Sequence, residues 1–277
     1  MAIVQTATRG PTQPKIQPGT DLVLREEVEP GIVRLTLFRP DARNALSLEL
    51  MRQLMTQLES MAYDDQVRVV IIGGAGAVFC AGHDLKELRA DPSPEFYNKV
   101  FSLAGRLMQA IADFPRPVIA EVKGIATAAG CQLVATADLA IAADDARFAT
   151  PGVNIGLFCS TPMVALTRAV APKHAMEMLL TGEMIDAEEA CRIGLINKAV
   201  PAGELTEATM ALARKIAAKS IQTLKFGKGA FYRQIDMDLK HAYDYAAHIM
   251  TENMQALDAE EGIDAFLQKR KPVWQDC

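Results

Sequence analysis

The chain has 277 residues, half of them hydrophobic and 23% charged, with a net charge of −5. That length is enough to bury a substantial core, and the composition is that of an ordinary soluble globular protein. The acidic balance gives no electrostatic footprint for nucleic acid or an anionic membrane, and the uncharged run Val69–Gly82 is too short and too glycine-rich to span a bilayer.

Five cysteines, at 80, 131, 159, 191 and 277, are an odd number without CxxC spacing. They predict free thiols in a reducing compartment and argue against a disulfide framework or a zinc site. Residues 1–20 carry Arg9 and Lys15 and no acid, but lack an apolar core of the secretory type. Their prolines and missing amphipathic pattern predict a flexible leader. The expected location is cytoplasmic, with the mitochondrial matrix as the alternative in a eukaryote.

In chain order, VLREEVEPGIVRLTLFRP predicts two short strands around a turn at Pro30 and Gly31. Ser47 is a good N-cap for a helix whose Leu48, Met51, Met55, Leu58 and Met61 share one side. RVVIIGG predicts a buried parallel strand. A helix is expected from about Pro94 to Asp113, ended by Pro115 and Pro117. PVIAEVKG predicts another buried strand, GIATAAG a turn, CQLVATA a helix, and DLAIAADDARFATP a strand, a turn and a short strand.

This alternation implies an α/β core with helices outside. From about Thr161 to Phe266 the pattern predicts helix almost throughout. The expected organisation is a core over 21–210 and a C-terminal helical lobe over 211–277 that is not an independent domain.

Two segments carry the chemistry: GAVFCAGHDLKEL at 76–88 and KGIATAAGCQL at 123–133. Each follows a buried strand with a small-residue turn, which leaves backbone N–H groups aimed beyond the strand end. Side by side, two such turns can present two donors to one oxygen, as an oxyanion hole requires. Taken singly, such a turn more often serves tight helix–strand packing. No GxGxxG, Walker, HExxH or GxSxG pattern occurs.

The order FCAGHDLKE, GIATAAGCQLVATADLAIAADDARFATP, LTGEMIDAEEACRIGLINKAVP and FLQKRKPVW resembles the crotonase (enoyl-CoA hydratase/isomerase) superfamily over nearly everything after the leader. The resemblance implies a ClpP-like spiral of repeated ββα units with a C-terminal helical lobe used for trimerisation. It also implies assembly as a homotrimer or a dimer of trimers, an acyl-CoA thioester as ligand, and no membrane or nucleic-acid partner. No cofactor is held permanently; coenzyme A arrives as part of the substrate.

Residue by residue, the resemblance assigns the backbone N–H groups of His83 and Ala129 to the oxyanion hole. It assigns Ala81, Asp84, Leu85 and Lys86 to the adenine and pantetheine of CoA, and Arg43 to its phosphates. Phe266 and Lys269 would complete the CoA site, often from a neighbouring subunit. Lys269 lies in the basic run QKRK, which reads equally well as a solvated face. For His83 only the backbone has a role, with the ring beside the CoA. His174, His241 and His248 read as surface or packing residues.

Hydratases of this family use two glutamates, twenty residues apart, to position and activate water. The matching positions here are Gln132 and Gly152. Glutamine holds water but cannot take its proton, and glycine does neither with a side chain. The expectation is an acyl-CoA-binding protein, nominally a hydratase/isomerase of the lyase class, in which standard hydration is impaired. Thioester hydrolysis, decarboxylation, isomerisation or non-catalytic acyl-CoA binding are the alternatives. A hydroxyl or thiol of Cys159, Ser160 or Thr161 could orient a water, but the expectation is that they line the acyl pocket or N-cap the next helix, and that Glu121 and Asp138 are structural.

Overall fold

The computed structural model describes residues 21–276, so the expected leader over 1–20 and Cys277 lie outside the described residues. The chain opens with the hairpin of β1 (Val23–Glu29) and β2 (Ile32–Leu37), turning at Pro30 and Gly31. Helix α1 (Leu48–Ala62) follows, capped by Ser47, whose hydroxyl accepts from Leu50 N–H. It buries Leu48, Met51, Leu58 and Met61, whereas Met55 is half-buried. Next come β3 (Val69–Gly74), α2 (Leu85–Ala90), α3 (Pro94–Ala112) and β4 (Val118–Val122).

The segment expected as a plain turn contains a strand, β5 (Ile125–Thr127), before α4 (Ala129–Thr136). Then come β6 (Leu139–Ala143), β7 (Arg147–Ala149), α5 (Ser160–Ala169) and α6 (Pro172–Thr181). The almost wholly helical reading of the rest is corrected by two short strands. These are β8 (Ile185–Asp186) and, after α7 (Ala187–Arg192), β9 (Lys198–Val200). Helices α8 (Leu205–Ala217), α9 (Ile221–Gln234), α10 (Leu239–Met254) and α11 (Leu257–Leu267) complete the chain.

Six strands form one sheet in the order β1-β2-β3-β4-β6-β9, parallel except for the β1–β2 hairpin. The central strand β3 is buried along its whole length, as covering on both faces demands. Val70 and Ile72 face the large core shared with α1 and α3, while Val69 and Ile71 face Met210 and Ala213 of α8. The boundary expected at 210/211 therefore falls inside α8, whose residues on either side of it both pack on the sheet.

A smaller sheet, β5-β7-β8, is bridged to the loop that follows β3. Cys80 donates to Ile125 O and accepts from Thr127 N–H, at 3.1 and 3.0 Å. The loop after β3 is thereby zipped to the strand that leads into α4.

Beyond α8 the chain is thinly buried: α9 buries only Ile221 and α10 no residue. Helix α9 is pinned by Lys228, whose Nζ donates to Ile111 O, Arg116 O and Asp138 Oδ2 at 3.0, 3.1 and 2.7 Å. Asp138 also accepts from Tyr232 OH and Val118 N–H, which bears out the structural reading of that carboxylate. Glu121 is likewise structural, paired with Arg34 at 2.8 Å.

Candidate functional site

The loop after β3 is held from below by a residue the sequence did not single out. Asn44, fully buried, donates through Nδ2 to Ala75 O, Val78 O and Phe79 O, and its Oδ1 accepts from Arg39 N–H. Asn44 and Arg43 both have positive φ, 53° and 52°. Asparagine tolerates that conformation better than most residues. The Arg43 carbonyl accepts from Ala81 N–H at 3.0 Å. Leu46 then pairs with the far side of the loop, donating to Gly82 O and accepting from Asp84 N–H. His83, lying between them, keeps its own N–H free of any hydrogen bond among the described residues.

The second turn is built by close backbone approach. A Cβ on Gly130 would lie 2.1 Å from Cys80 O, so only glycine lets α4 begin against the loop after β3. Ala128 is held at φ 50° and ψ −118°, a conformation that disfavours a side chain, and its N–H donates to Ala149 O. The next residue, Ala129, is fully buried and opens α4 without a side-chain cap. Its N–H donates to no acceptor among the described residues. A buried backbone donor left unpaired is rare and costly. Gly130 thus supplies the close packing of this turn, and the Ala129 N–H beside it stays unpaired among the described residues.

One turn along α4 from Ala129, Gln132 is 3% exposed. It lines a cavity of about 480 Å³ between α3, α4, α5 and α9, with Met108, Ala135, Val164 and Ile235 as apolar walls. Its Oε1 is buried without a partner among the described residues.

Gly152 carries more than the loss of a carboxylate. A Cβ there would meet Leu157 O at 2.5 Å and Cys159 Sγ at 2.9 Å. The segment closes back on itself through Leu157 N–H donating to Gly152 O at 2.9 Å. A side chain at 152 is sterically excluded as well as absent.

Of the three residues that follow, Thr161 lines the cavity. None caps α5: Cys159 stands at the N-cap without a side-chain bond, and Ser160 Oγ turns back to Phe158 O. The thiols are no substitute base. Burial pushes Cys131 up to about 12, and also raises Cys159.

His83 adds a second buried polar group. Its ring packs edge-on against Phe101, centroids 5.3 Å apart, and neither ring nitrogen has a hydrogen-bond partner among the described residues. Burial pushes the imidazole down to about 4, the Leu46 backbone opposing the shift weakly, so the ring is neutral near pH 7.

Asp84 is engaged within the protein, capping α2 through Lys86 N–H and Glu87 N–H and pairing with Arg39 at 2.9 Å. Burial raises its pKa, but Arg39 and the two N–H groups outweigh it and hold the carboxyl below its ordinary range. Arg39, like Asn44, is a residue the sequence reading missed; its contacts span 45 residues of chain.

The side chains of Leu85, Lys86 and Arg43 are exposed around this loop, and Ala81 is half-buried. The structure brings Arg43 and Ala81–Lys86 together with Ala129. It leaves Phe266, 81% exposed, and Lys269 on the outer end of α11. No hydrogen bond or ion pair ties those two to the turns among the described residues.

The family pattern described as enoyl-CoA hydratase/isomerase matches residues 27–277. The chain is 50% identical over 244 residues to the Homo sapiens protein named enoyl-CoA hydratase domain-containing protein 3, mitochondrial, covering 88% of this chain and 80% of the relative. A crystal structure of enoyl-CoA hydratase from Mycobacterium smegmatis superposes with a TM-score of 0.90 at 50% identity, covering 92% of this chain and 99% of the other. The human domain-containing protein 3 structure superposes with a TM-score of 0.89 at 48% identity, covering 92% and 100%.

Proposed function

Because the chain belongs to the enoyl-CoA hydratase/isomerase family, we propose that it binds an acyl-CoA thioester. The thioester carbonyl is polarised between the N–H groups of His83 and Ala129, and the ligand is not hydrated. One observation carries this reading: the two N–H groups are unspent in two turns packed against each other. Oriented backbone donors of this kind stabilise an oxyanion or enolate at a cost already met by folding. One such donor contributes typically about 10²–10³-fold in rate.

The hydration half of family chemistry lacks its groups. Gln132 accepts or donates a hydrogen bond but moves no proton, and 152 has no room for a side chain. General acid–base catalysis typically contributes about 10²–10⁴-fold, so hydration is the reaction this site serves worst. A reaction that needs only carbonyl polarisation is the one it serves best.

Coenzyme A enters as part of the ligand, with Arg43, Ala81 and the exposed Leu85 and Lys86 beside its path. Phe266 and Lys269 belong to a neighbouring subunit's site in this reading. The apolar side chains that α9 and α10 leave exposed, among them Phe231, Leu239 and Met250, support a homotrimer or a dimer of trimers. Free buried Cys80, Cys131 and Cys159 suit a reducing compartment. The human relative's name carries "mitochondrial"; together these support the matrix in a eukaryote and the cytoplasm in a bacterium.

The test is calorimetry with a straight-chain acyl-CoA and the S-alkyl-CoA of equal length, which lacks only the carbonyl. Two hydrogen bonds to that oxygen predict that the thioester binds about tenfold or more tightly, while enoyl-CoA incubated with the protein hydrates no faster than in buffer. Equal affinity for the two ligands overturns the reading, and so does hydratase turnover.

A further inference from the structure

The cavity beside Gln132 has a neighbour. A second cavity, of about 530 Å³, opens next to it, and the two share Ala112, Asp113 and Tyr232 in their linings. The character changes across that shared rim. On the Gln132 side the lining is dominated by Met108, Ala135, Val164 and Ile235. On the far side it carries Lys225, Lys228 and Arg233.

Lys228 is spent on Asp138 at 2.7 Å. Lys225 has no ion pair among the described residues, and Arg233 stacks over Tyr245 with its guanidinium 4.8 Å from the ring centroid. Two acids oppose this charge: Asp113 on the shared rim, and Asp236, which faces Arg168 at 3.9 Å at the edge of the apolar cavity. The surplus at the far end is therefore positive and supplied by Lys225 and Arg233.

We propose that the paired cavities select acyl chains carrying a terminal carboxylate, the apolar stretch holding the methylenes and Lys225 with Arg233 receiving the distal anion. This rests on the acyl-CoA reading above and adds the substrate class. An alkyl chain gains from the apolar segment by burial. A methyl end gains nothing from cations beyond it, whereas a carboxylate makes charge-assisted hydrogen bonds there. Arg233 is suited to this, since its stacked guanidinium keeps its donor edge free.

The experiment uses the full-length protein and monocarboxylic and dicarboxylic acyl-CoA thioesters matched in chain length, titrated by calorimetry. At the length that spans both cavities the dicarboxylic thioester binds about tenfold more tightly. The double variant Lys225→Met with Arg233→Met removes that preference and leaves monocarboxylic affinity unchanged. Both side chains are exposed, and far-ultraviolet circular dichroism of the variant confirms its fold.

Equal or weaker dicarboxylic binding at every length overturns the proposal while leaving the acyl-CoA reading in place. A preference that survives the double variant overturns it too. Failure of every thioester to bind removes the acyl-CoA reading and this one with it.

Discussion

Gly82 and Ala129 meet where the two turns abut: a methyl group on Gly82 would lie 3.2 Å from the Ala129 nitrogen, 2.9 Å from Ala128 Cβ and 3.0 Å from Thr127 O. Gly82 also has φ +92°, outside the range L side chains adopt readily. The residue before one donor thus sets the spacing to the other. Gly82→Ala should push the turns apart and cost about 1–3 kcal/mol of stability. At temperatures where the variant is folded, acyl-CoA affinity should fall at least tenfold, read by calorimetry. Unchanged affinity in a folded variant would show that the spacing of the turns is not what holds the ligand.

Restoring both carboxylates is the obvious route to a hydratase, and the packing at 152 predicts that it fails. Gly152→Glu places a side chain against Leu157 O at 2.5 Å and Cys159 Sγ at 2.9 Å. The segment must unwind to admit it, and the variant should lose more than about 3 kcal/mol in urea denaturation. Gln132→Glu changes no volume but buries a carboxylate without a partner, so its pKa should rise and the variant should lose about 1–3 kcal/mol. Its lone carboxylate, without a partner, should leave enoyl-CoA hydration within tenfold of the parent's rate. Robust hydration by the double variant in a standard spectrophotometric assay would refute this.

Much of this arrangement was legible in the sequence. Continuous apolar runs gave β3 and β4, Ser47 gave the start of α1, and the small-residue turns located His83 and Ala129. The missing parts share a physical cause. Lys198–Val200 is three residues long and forms a strand only because β6 offers it an edge, so local pattern carries no trace of it. Ile125–Thr127 is a strand because Cys80 and β7 pair with it from either side. Asn44 and Arg39 act through loops 31 to 45 residues away. The exclusion at Gly152 comes from a carbonyl five residues on that returns to it, and a side-chain alphabet does not record where carbonyls go.

The buried imidazole of His83 predicts a pH dependence. Its folded pKa, about 4, is below the unfolded value of about 6.5, so the unfolded chain binds the extra proton in between. The stability tied to the neutral ring is fully present above about pH 6.5 and is lost as pH falls toward 4. Between pH 7.5 and 5 that loss is about 2 kcal/mol. His83→Leu keeps the backbone donor and the apolar contact with Phe101 while removing the titration. Urea denaturation at the two pH values should show the parent losing about 2 kcal/mol more than the variant. Equal losses would mean the ring is solvated.

The pin on α9 makes the last prediction. Lys228 and Asp138 are 8% and 15% exposed and 2.7 Å apart, and burial lowers the lysine's pKa against the pull of Asp138. Removing one member of such a pair leaves the other charge buried, which typically costs about 3–5 kcal/mol. Tyr232 OH and Val118 N–H still reach Asp138 and soften that cost. Lys228→Met should therefore cost about 2–4 kcal/mol. The damage should also be local, because two further Lys228 bonds fasten α9 to the end of α3 and to Arg116 O. Hydrogen exchange should show α9 and α10 opening while β3 and β4 remain protected. Tyr232 lines both cavities, so acyl-CoA affinity should drop in step with that opening. A variant equally destabilised everywhere would show that the pin supports the whole core rather than the helix that walls the cavity.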